Sequence, residues 1–374
     1  MFKKITLYSS VNSSLQPFSY LLEELSQRDF AFELRTNQPA CDLLNTFNEK
    51  HWQRKISWLG PRPGSKISDR LFRYLLPFVR LGVYANWQWN KSNLPATIIC
   101  FGWPEKLLFT GVAKRFGVKT IWLELPDNQI PRAGWKSYKK LSRLATILTL
   151  NHHTKAKLEK SGIDPEIIKV MQPGIKLQQY THQDDLYHNL ADRTRPGKKY
   201  FTIGTVTDLD EQQKIESLFQ AVKKCLTIIP NLQLIVVGEG KEKKNLLWLA
   251  KKMEIDNLVW LVGGQAHLRK WIESFDLYIA TNEKLDLQEL ITTLCVMSAE
   301  RPVIGQADSG LEDLIFDAKT GYLMNLSDSE SLAEKIMVLH QDKEIRRQLG
   351  KQALERVEKY FTSAKMLEQF EKLL

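Results

Sequence analysis

Cysteine is scarce in this chain. Four residues in 374 (Cys41, Cys100, Cys225 and Cys295) lie scattered with no Cys-x-x-Cys pair, which argues against a zinc site and leaves buried reduced thiols as the plain reading. Long apolar runs are missing too, since no stretch reaches the roughly 18 residues that cross a bilayer. Met1–Tyr8 carries two lysines, as a signal peptide does, but its apolar run is too short and alternates like a first core strand. The chain is therefore read as cytoplasmic. It has no low-complexity tract and no repeat of fixed period. No motif that reads DNA or RNA is present, so nucleic acid is not an expected partner. The stretch after the first strand, Ser9–Gln16, lacks glycine.

What is present describes a folded protein. Residues are 43% hydrophobic and 26% charged, and the length suits two domains of roughly 150–200 residues each. Charge is unevenly spread. Residues 1–180 hold 27 Lys and Arg against 13 Asp and Glu, a balance of +14; the remainder holds 26 against 30, a balance of −4. Different partners for the two halves follow from that contrast.

The clearest pattern runs from Tyr200 to Leu374. Strand 200–206 leads through a polar loop into helix 214–227. Strand 232–237 ends in Gly238-Glu239-Gly240 before the basic helix 241–253, and strands near 258–261 and 277–280 continue the alternation. Short β-rich runs between amphipathic helices make βαβ units of a parallel sheet, whose ligands sit beyond the carboxyl ends of the strands. The first half repeats the pattern: strands 3–8, 30–35, 97–100, 119–123, 147–150 and 167–171, with helices 15–28, 105–116, 134–144 and 153–160. The expected division is 1–178, a linker 179–199, 200–360, and a terminal helix 361–374 that returns to the first domain.

Several segments resemble the family-4, or group 1, glycosyltransferases. Ile147–Asn151 with Lys157–Ile163 is similar to that family's strand and helix before the linker, and Val170–Ile175 to its Ile-Pro-Asn-Gly-Val turn. Val236–Gly240 is similar to Val-Gly-x-Gly, and Met297–Ile304 to a Met-Ala-Ser-Gly-x-Pro-Val-Val run. Ser309–Ile315 with Thr320–Leu323 is similar to Gly-Gly-x-x-Glu-x-Val and Thr-Gly-x-Leu, and Ser327–Leu374 to the closing helices. The resemblance covers the second domain and the last third of the first. It implies the α/β GT-B fold: two Rossmann-like, doubly wound parallel-sheet domains facing a cleft, the first on the acceptor side and the second holding the donor.

By that resemblance the substrate is a nucleotide-diphosphate sugar, UDP- or GDP-linked, and the acceptor a glycan or lipid-linked molecule of the cell envelope. Transfer proceeds with retention, and neither a metal nor a cofactor takes part. The catalytic motifs, however, are degenerate. Where the family has two glutamates with seven residues between them, this chain has Leu287 and Cys295; the nearest carboxylates, Asp286 and Glu289, are the catalytic candidates. The plainer reading makes both a solvated helix start. Thr205 stands at the family's Arg position and Lys214 beside its Lys position, where fixed cations steady a leaving diphosphate. Gly204, Gly238, Gly240, Gly264, Ser309 and Gly310 allow close turns at strand ends. With the amides of Gln288, Glu289 and Leu290 they outline a donor site; alternatively they only make turns. His152 and His153 fall at a helix start and are read as surface residues. A catalytically inactive partner or membrane-docking subunit remains the other reading.

Residues 50–91 hold nine Lys and Arg, one acid (Asp69) and eight aromatics. Periodicity predicts an amphipathic helix over 69–81, kinked or divided by Pro77. Arg70, Arg73 and Arg80 form one stripe opposite Leu71, Leu75, Phe78 and Val79. With Trp87 and Trp89 it suits an anionic membrane surface at the inner face of the membrane, or else packs its apolar face on the sheet of its own domain.

Overall fold

In the computed structural model the described residues are 3–9, 30–36, 52–56, 66–126, 134–177, 200–210, 213–264, 268–283 and 285–374. The predicted helix 15–28, the linker 179–199 and Trp58 lie outside them. The chain divides into two compact units. One comprises residues 1–174 with 363–374, the other residues 175–362.

The first unit carries a seven-stranded parallel sheet of β1 (Lys3–Ser9), β2 (Phe30–Thr36), β3 (Trp52–Ile56), β4 (Thr97–Cys100), β5 (Lys119–Glu124), β6 (Thr146–Thr149) and β7 (Ile168–Val170), in the order β3-β2-β1-β4-β5-β6-β7. Its helices are α1 (Lys66–Trp89), α2 (Trp103–Arg115), α3 (Trp135–Ser142), α4 (His152–Lys160) and α11 (Ser363–Glu371). The last of these is tied back to the chain before the unit boundary, where the Gln172 N–H donates to Gln369 Oε1 over 3.0 Å. Ile98, Cys100, Trp122 and Ile147 from the strands meet Leu108, Val112 and Tyr138 from α2 and α3 in one core. Trp122 is fully buried, its indole N–H donating to Thr110 Oγ1 over 2.9 Å.

α1 corrects the sequence reading twice. It runs unbroken through Pro77, because the turns that follow are held by packing of Val79, Val83, Tyr84 and Trp87 on that core and by Arg80, whose Nε donates to Leu107 O over 2.9 Å. The lost backbone bond is thereby offset by tertiary contacts. The apolar stripe is also split: Val79 packs on the core while Phe78 is exposed, and the side chains of Arg70, Leu71 and Arg73 lie outside the described residues. Arg80 turns inward and Trp87 is buried against Phe109 and Phe116, whereas Phe78, Leu81 and Trp89 are 69%, 66% and 88% exposed.

The second unit carries a six-stranded parallel sheet of β8 (Phe201–Val206), β9 (Leu232–Val237), β10 (Val259–Leu261), β11 (Leu277–Ala280), β12 (Val303–Gln306) and β13 (Tyr322–Met324), in the order β10-β9-β8-β11-β12-β13. Around it stand α5 (Gln213–Cys225), α6 (Lys243–Lys252), α7 (Leu268–Ser274), α8 (Leu287–Ser298), α9 (Ser329–Gln341) and α10 (Lys343–Tyr360). β8 and β9 are buried along their whole length, as strands covered on both faces must be. Ile203, Leu234, Val236 and Ile279 pack with Phe219, Val222, Leu246 and Ile336. Aspartates start three of these helices: Asp286 accepts from Glu289 N, Asp328 from Glu330 N and Ser331 N, and Asp342 from Ile345 N, each satisfying a first-turn donor.

In both sheets strand order reverses beside the first strand, between β1 and β4 and between β8 and β11. Crevices of open α/β sheets form at such reversals, outside the carboxyl ends of the strands.

Candidate functional site

The β8/β11 reversal is lined by polar side chains at the end of otherwise apolar strands. Thr205 and Thr207 leave the end of β8, and Thr281 and Asn282 follow β11; all four are buried. Their hydroxyls and amides connect into a ladder. Thr205 Oγ1 and Thr281 Oγ1 stand 3.3 Å apart, and Thr207 Oγ1 donates to Asn282 Oδ1 over 3.0 Å. Asn282 Nδ2 donates to Asp286 Oδ2 over 3.1 Å. Asp286 Oδ1 in turn accepts the Glu289 N–H over 2.7 Å. Asp286 is therefore a helix cap with both oxygens engaged, set where β11 hands over to α8.

Glu289 lies behind it: Asp286 stands at the helix start and is half-buried, whereas for Glu289 the expectation of a solvated helix start fails. Glu289 is 1% exposed. Its Oε1 accepts from the Tyr278 hydroxyl over 2.8 Å and from Thr293 Oγ1 over 3.4 Å, while Oε2 is buried with no hydrogen-bond partner among the described residues. Burial pushes its carboxyl up to about 8, the Asp286 charge adds to the rise, and the Tyr278 hydrogen bond opposes it. The same burial, with Glu289 beside it, raises the Tyr278 phenol far above its ordinary range.

The side chains of Leu287, Leu290 and Cys295 are buried. The Glu289 amide is engaged by Asp286 and that of Leu290 by Asp286 O. The amide set 288–290 expected for a diphosphate is thus reduced to Gln288, with Leu287 as its first-turn neighbour. Lys214 is the second residue of α5; its side chain, like those of Arg70 and Arg73, lies outside the described residues.

The glycines serve chain packing. A Cβ on Gly204 would lie 2.2 Å from the Phe275 ring, and one on Gly240 would lie 2.2 Å from the Leu209 carbonyl carbon. Gly238 holds φ 155° with the Thr207 carbonyl oxygen 1.9 Å from where its Cβ would stand, a position closed to any side chain. Gly264 is exposed. The Ser309–Gly310 turn is self-contained: Gly310, at φ 108°, gives its N–H to Glu312 Oε2 over 2.8 Å, and Ser309 Oγ donates to Gln306 O over 2.7 Å. The Leu285 N–H donates to Ser309 O over 3.2 Å, which ties this turn to the loop before α8.

Thr207, Thr281, Asn282 and Tyr278 were not singled out by the sequence. Two signals were available: Thr205 and Thr207 share one face by strand alternation, and Thr281-Asn282 directly ends an apolar strand. In the first unit, β5 ends in a buried ion pair, with Lys106 Nζ 2.7 Å from Glu124 Oε1 and both side chains 3% exposed. The Tyr138 hydroxyl also donates to that oxygen over 2.7 Å. His152 and His153 are exposed on the first turn of α4. Among the described residues, no three His, Cys, Asp or Glu side chains converge as metal ligands, and no helix is long and apolar enough to cross a membrane.

Residues 189–356 match the model of the family described as glycosyl transferases group 1. The N-acetyl-alpha-D-glucosaminyl L-malate synthase of Bacillus anthracis is 28% identical over 166 residues, 44% of this chain and 43% of that protein. This chain spans less than half the length of the curated relatives it matches. Among solved structures, a glycosyltransferase from Rickettsia africae superposes with a TM-score of 0.82 at 13% identity, covering 100% of this chain and 97% of that one. Anabaena Alr3699/HepE, crystallised in complex with UDP, superposes with a TM-score of 0.80 at 14% identity over 100% of this chain and 99% of that one. Their shared architecture is the two-domain GT-B fold, and residues 189–356 are similar to the group 1 glycosyltransferases.

Proposed function

We propose that the protein moves a sugar from a nucleotide-diphosphate sugar, UDP- or GDP-linked, to a glycan or lipid-linked acceptor, with the nucleotide held at the β8/β11 reversal of the second unit. The observation that carries this reading is the Thr205–Thr281, Thr207–Asn282–Asp286 ladder set where α8 begins. Polar groups buried at a strand end cost stability unless they are paired, and here they are paired into a rigid frame around a helix start. The Leu287 and Gln288 amides at that start, with the helix dipole behind them, suit an anionic ligand. In the transfer, the acceptor oxygen bonds to the anomeric carbon as the bond to the diphosphate breaks, and the acceptor proton leaves with the nucleoside diphosphate. Charge grows on the departing phosphate, and fixed dipoles aimed there lower the barrier. Retention of configuration, absence of a metal, and Lys214 as a further cation belong to the same proposal. The UDP complex of the Anabaena protein supports the choice of nucleotide.

The acceptor side of the proposal is an anionic bilayer at the cytoplasmic face, met through residues 50–91. Phe78, Leu81 and Trp89 exposed along α1, together with the basic balance of the first 180 residues, support it.

A second reading has its own observation. Leu287 and Cys295 are buried where the family has glutamates, and Glu289 is sealed under Tyr278. A subunit that binds nucleotide or membrane without catalysis fits that arrangement. Mass spectrometry of UDP-glucose, UDP-N-acetylglucosamine and GDP-mannose incubated with the protein and a membrane-lipid extract separates the two. Release of nucleoside diphosphate with a new glycosylated lipid supports transfer. Nucleotide binding without turnover of any donor, in protein shown to be folded, supports the non-catalytic subunit.

A further inference from the structure

A cavity of about 240 Å³ lies in the first unit on one face of β1 and β2. Strand alternation brings Lys4, Thr6 and Tyr8 to that face, and the parallel register places Glu33 opposite Thr6 and Arg35 opposite Tyr8. The other face of the same strands is apolar and buried, through Ile5, Leu7, Phe32 and Leu34. A strand in a doubly wound sheet is ordinarily apolar on both faces. Here Thr6 and Glu33 are buried beside two cations: Lys4 Nζ is 3.1 Å from Glu33 Oε2, and Arg35 Nη2 is 2.8 Å from Glu33 Oε1. Both cations are partly exposed, 28% for Lys4 and 30% for Arg35, and ion pairs of this kind bring little net stability, so folding alone does not account for the buried carboxylate.

The opposite wall is the last turn of α1, with Asn86, Trp87 and Asn90, followed by Asn93. These residues lead into the amino end of β4, away from the carboxyl ends where the sheet reversal lies. Among the described lining residues, two cations stand against one carboxylate, one positive charge in excess. Arg35 uses Nε and Nη2 on Glu33, and the remaining edge of its guanidinium fork suits a carboxylate. Three carboxamides bring donors and acceptors together, the combination that hydroxyl groups require. The volume is below the roughly 300–1,000 Å³ of drug-sized sites and suits one sugar ring.

We propose that this cavity binds a sugar carrying one carboxylate, at a site separate from the β8/β11 reversal. Such a group can come from a free sugar acid or from an acidic residue of a glycan chain. The proposal stands apart from the nucleotide reading, because it concerns the other unit and other residues.

Calorimetric titration and saturation-transfer NMR on the full chain test it with glucuronate, glucose, acetate and a short oligomer of galacturonate. Glucuronate should bind saturably and about tenfold more tightly than glucose or acetate. Arg35→Gln, and independently the exposed Asn90→Ala, should each weaken it about tenfold, whereas Asn282→Ala in the other unit should not. Oligomer binding tighter than monomer identifies a glycan chain as the source; equal binding identifies the free acid. Acetate binding as well as glucuronate, binding indifferent to both variants, or no saturation by about 10 mM overturns the proposal.

Discussion

The Tyr278 hydroxyl donates to Glu289 Oε1 over 2.8 Å, joining the middle of β11 to the first turn of α8 inside the second unit. A carboxyl in that position is a protonated core group, not a surface acid. Its pKa, pushed up to about 8 from an ordinary 4.5, sets the sign of its effect on stability. The folded chain holds this proton more tightly than the unfolded chain. The contribution is therefore complete below about pH 4.5 and is lost as pH rises towards about 8. Glu289→Gln keeps a hydrogen-bonding partner for Tyr278 and cannot ionise. Urea unfolding of both proteins from pH 5 to pH 8 should show the variant gaining on the parent by about 2–4 kcal/mol across the window. A difference that does not change with pH means Glu289 is not protonated in the fold.

Arg356 should hold the turn that follows β12. Its Nε donates to Leu314 O and its Nη2 to Asp313 O, each over 2.7 Å, while the guanidinium carbon stands 3.6 Å from the centre of the Phe316 ring. Arg356→Ala should cost about 2–3 kcal/mol, and Arg356→Lys should recover little because one ammonium cannot serve two carbonyls in a plane. Hydrogen exchange should quicken over 309–316 in both variants. Unchanged protection there removes the clamp from the account.

The Lys106–Glu124 pair gives a prediction on the first unit. Lys106→Met strands a buried carboxylate and should cost about 3–5 kcal/mol, whereas Lys106→Met with Glu124→Leu should recover most of that loss. Thermal melts of the two variants decide it. A double variant as unstable as the single would mean that the Tyr138 hydroxyl, which donates to Glu124, carries the energy.

The exposed face of α1 is a test of the bilayer proposal. Phe78→Ser with Leu81→Ser changes exposed positions and should shift stability by less than about 0.5 kcal/mol each. Flotation with vesicles of mixed neutral and anionic lipid should drop several-fold relative to the parent. Flotation equal to that of the parent removes α1 from the membrane contact.

The alternation of strand and helix was legible because short β-rich apolar runs between amphipathic helices build a parallel sheet; the order of the strands, and the polar edge strand Trp52–Ile56 beside β2, were not. Segment 277–280 reads as a buried strand and is one. The site was less legible for a physical reason. Asp286 and Glu289 look alike in sequence, and only the Tyr278 hydroxyl across the core decides that one caps a helix and the other is buried. The α1 stripe failed similarly: the reading put Arg80 on the wet face, but the Leu107 carbonyl, 27 residues onward, draws it inward and leaves Phe78 outside. Gly204 and Gly240 matched a ligand pattern, yet Phe275 and Leu209 fill the space their missing Cβ atoms leave.

The Thr207–Asn282–Asp286 ladder is proposed to frame a nucleotide. Calorimetric titration with UDP, GDP and ADP, on the parent and on Asn282→Ala, tests it most directly. The account predicts micromolar binding of UDP or GDP by the parent, weakened about tenfold or more in the variant, as the loss of about 1.4 kcal/mol of framing would give. No heat with any of the three nucleotides from folded parent protein, or equal affinity in parent and variant, would contradict it.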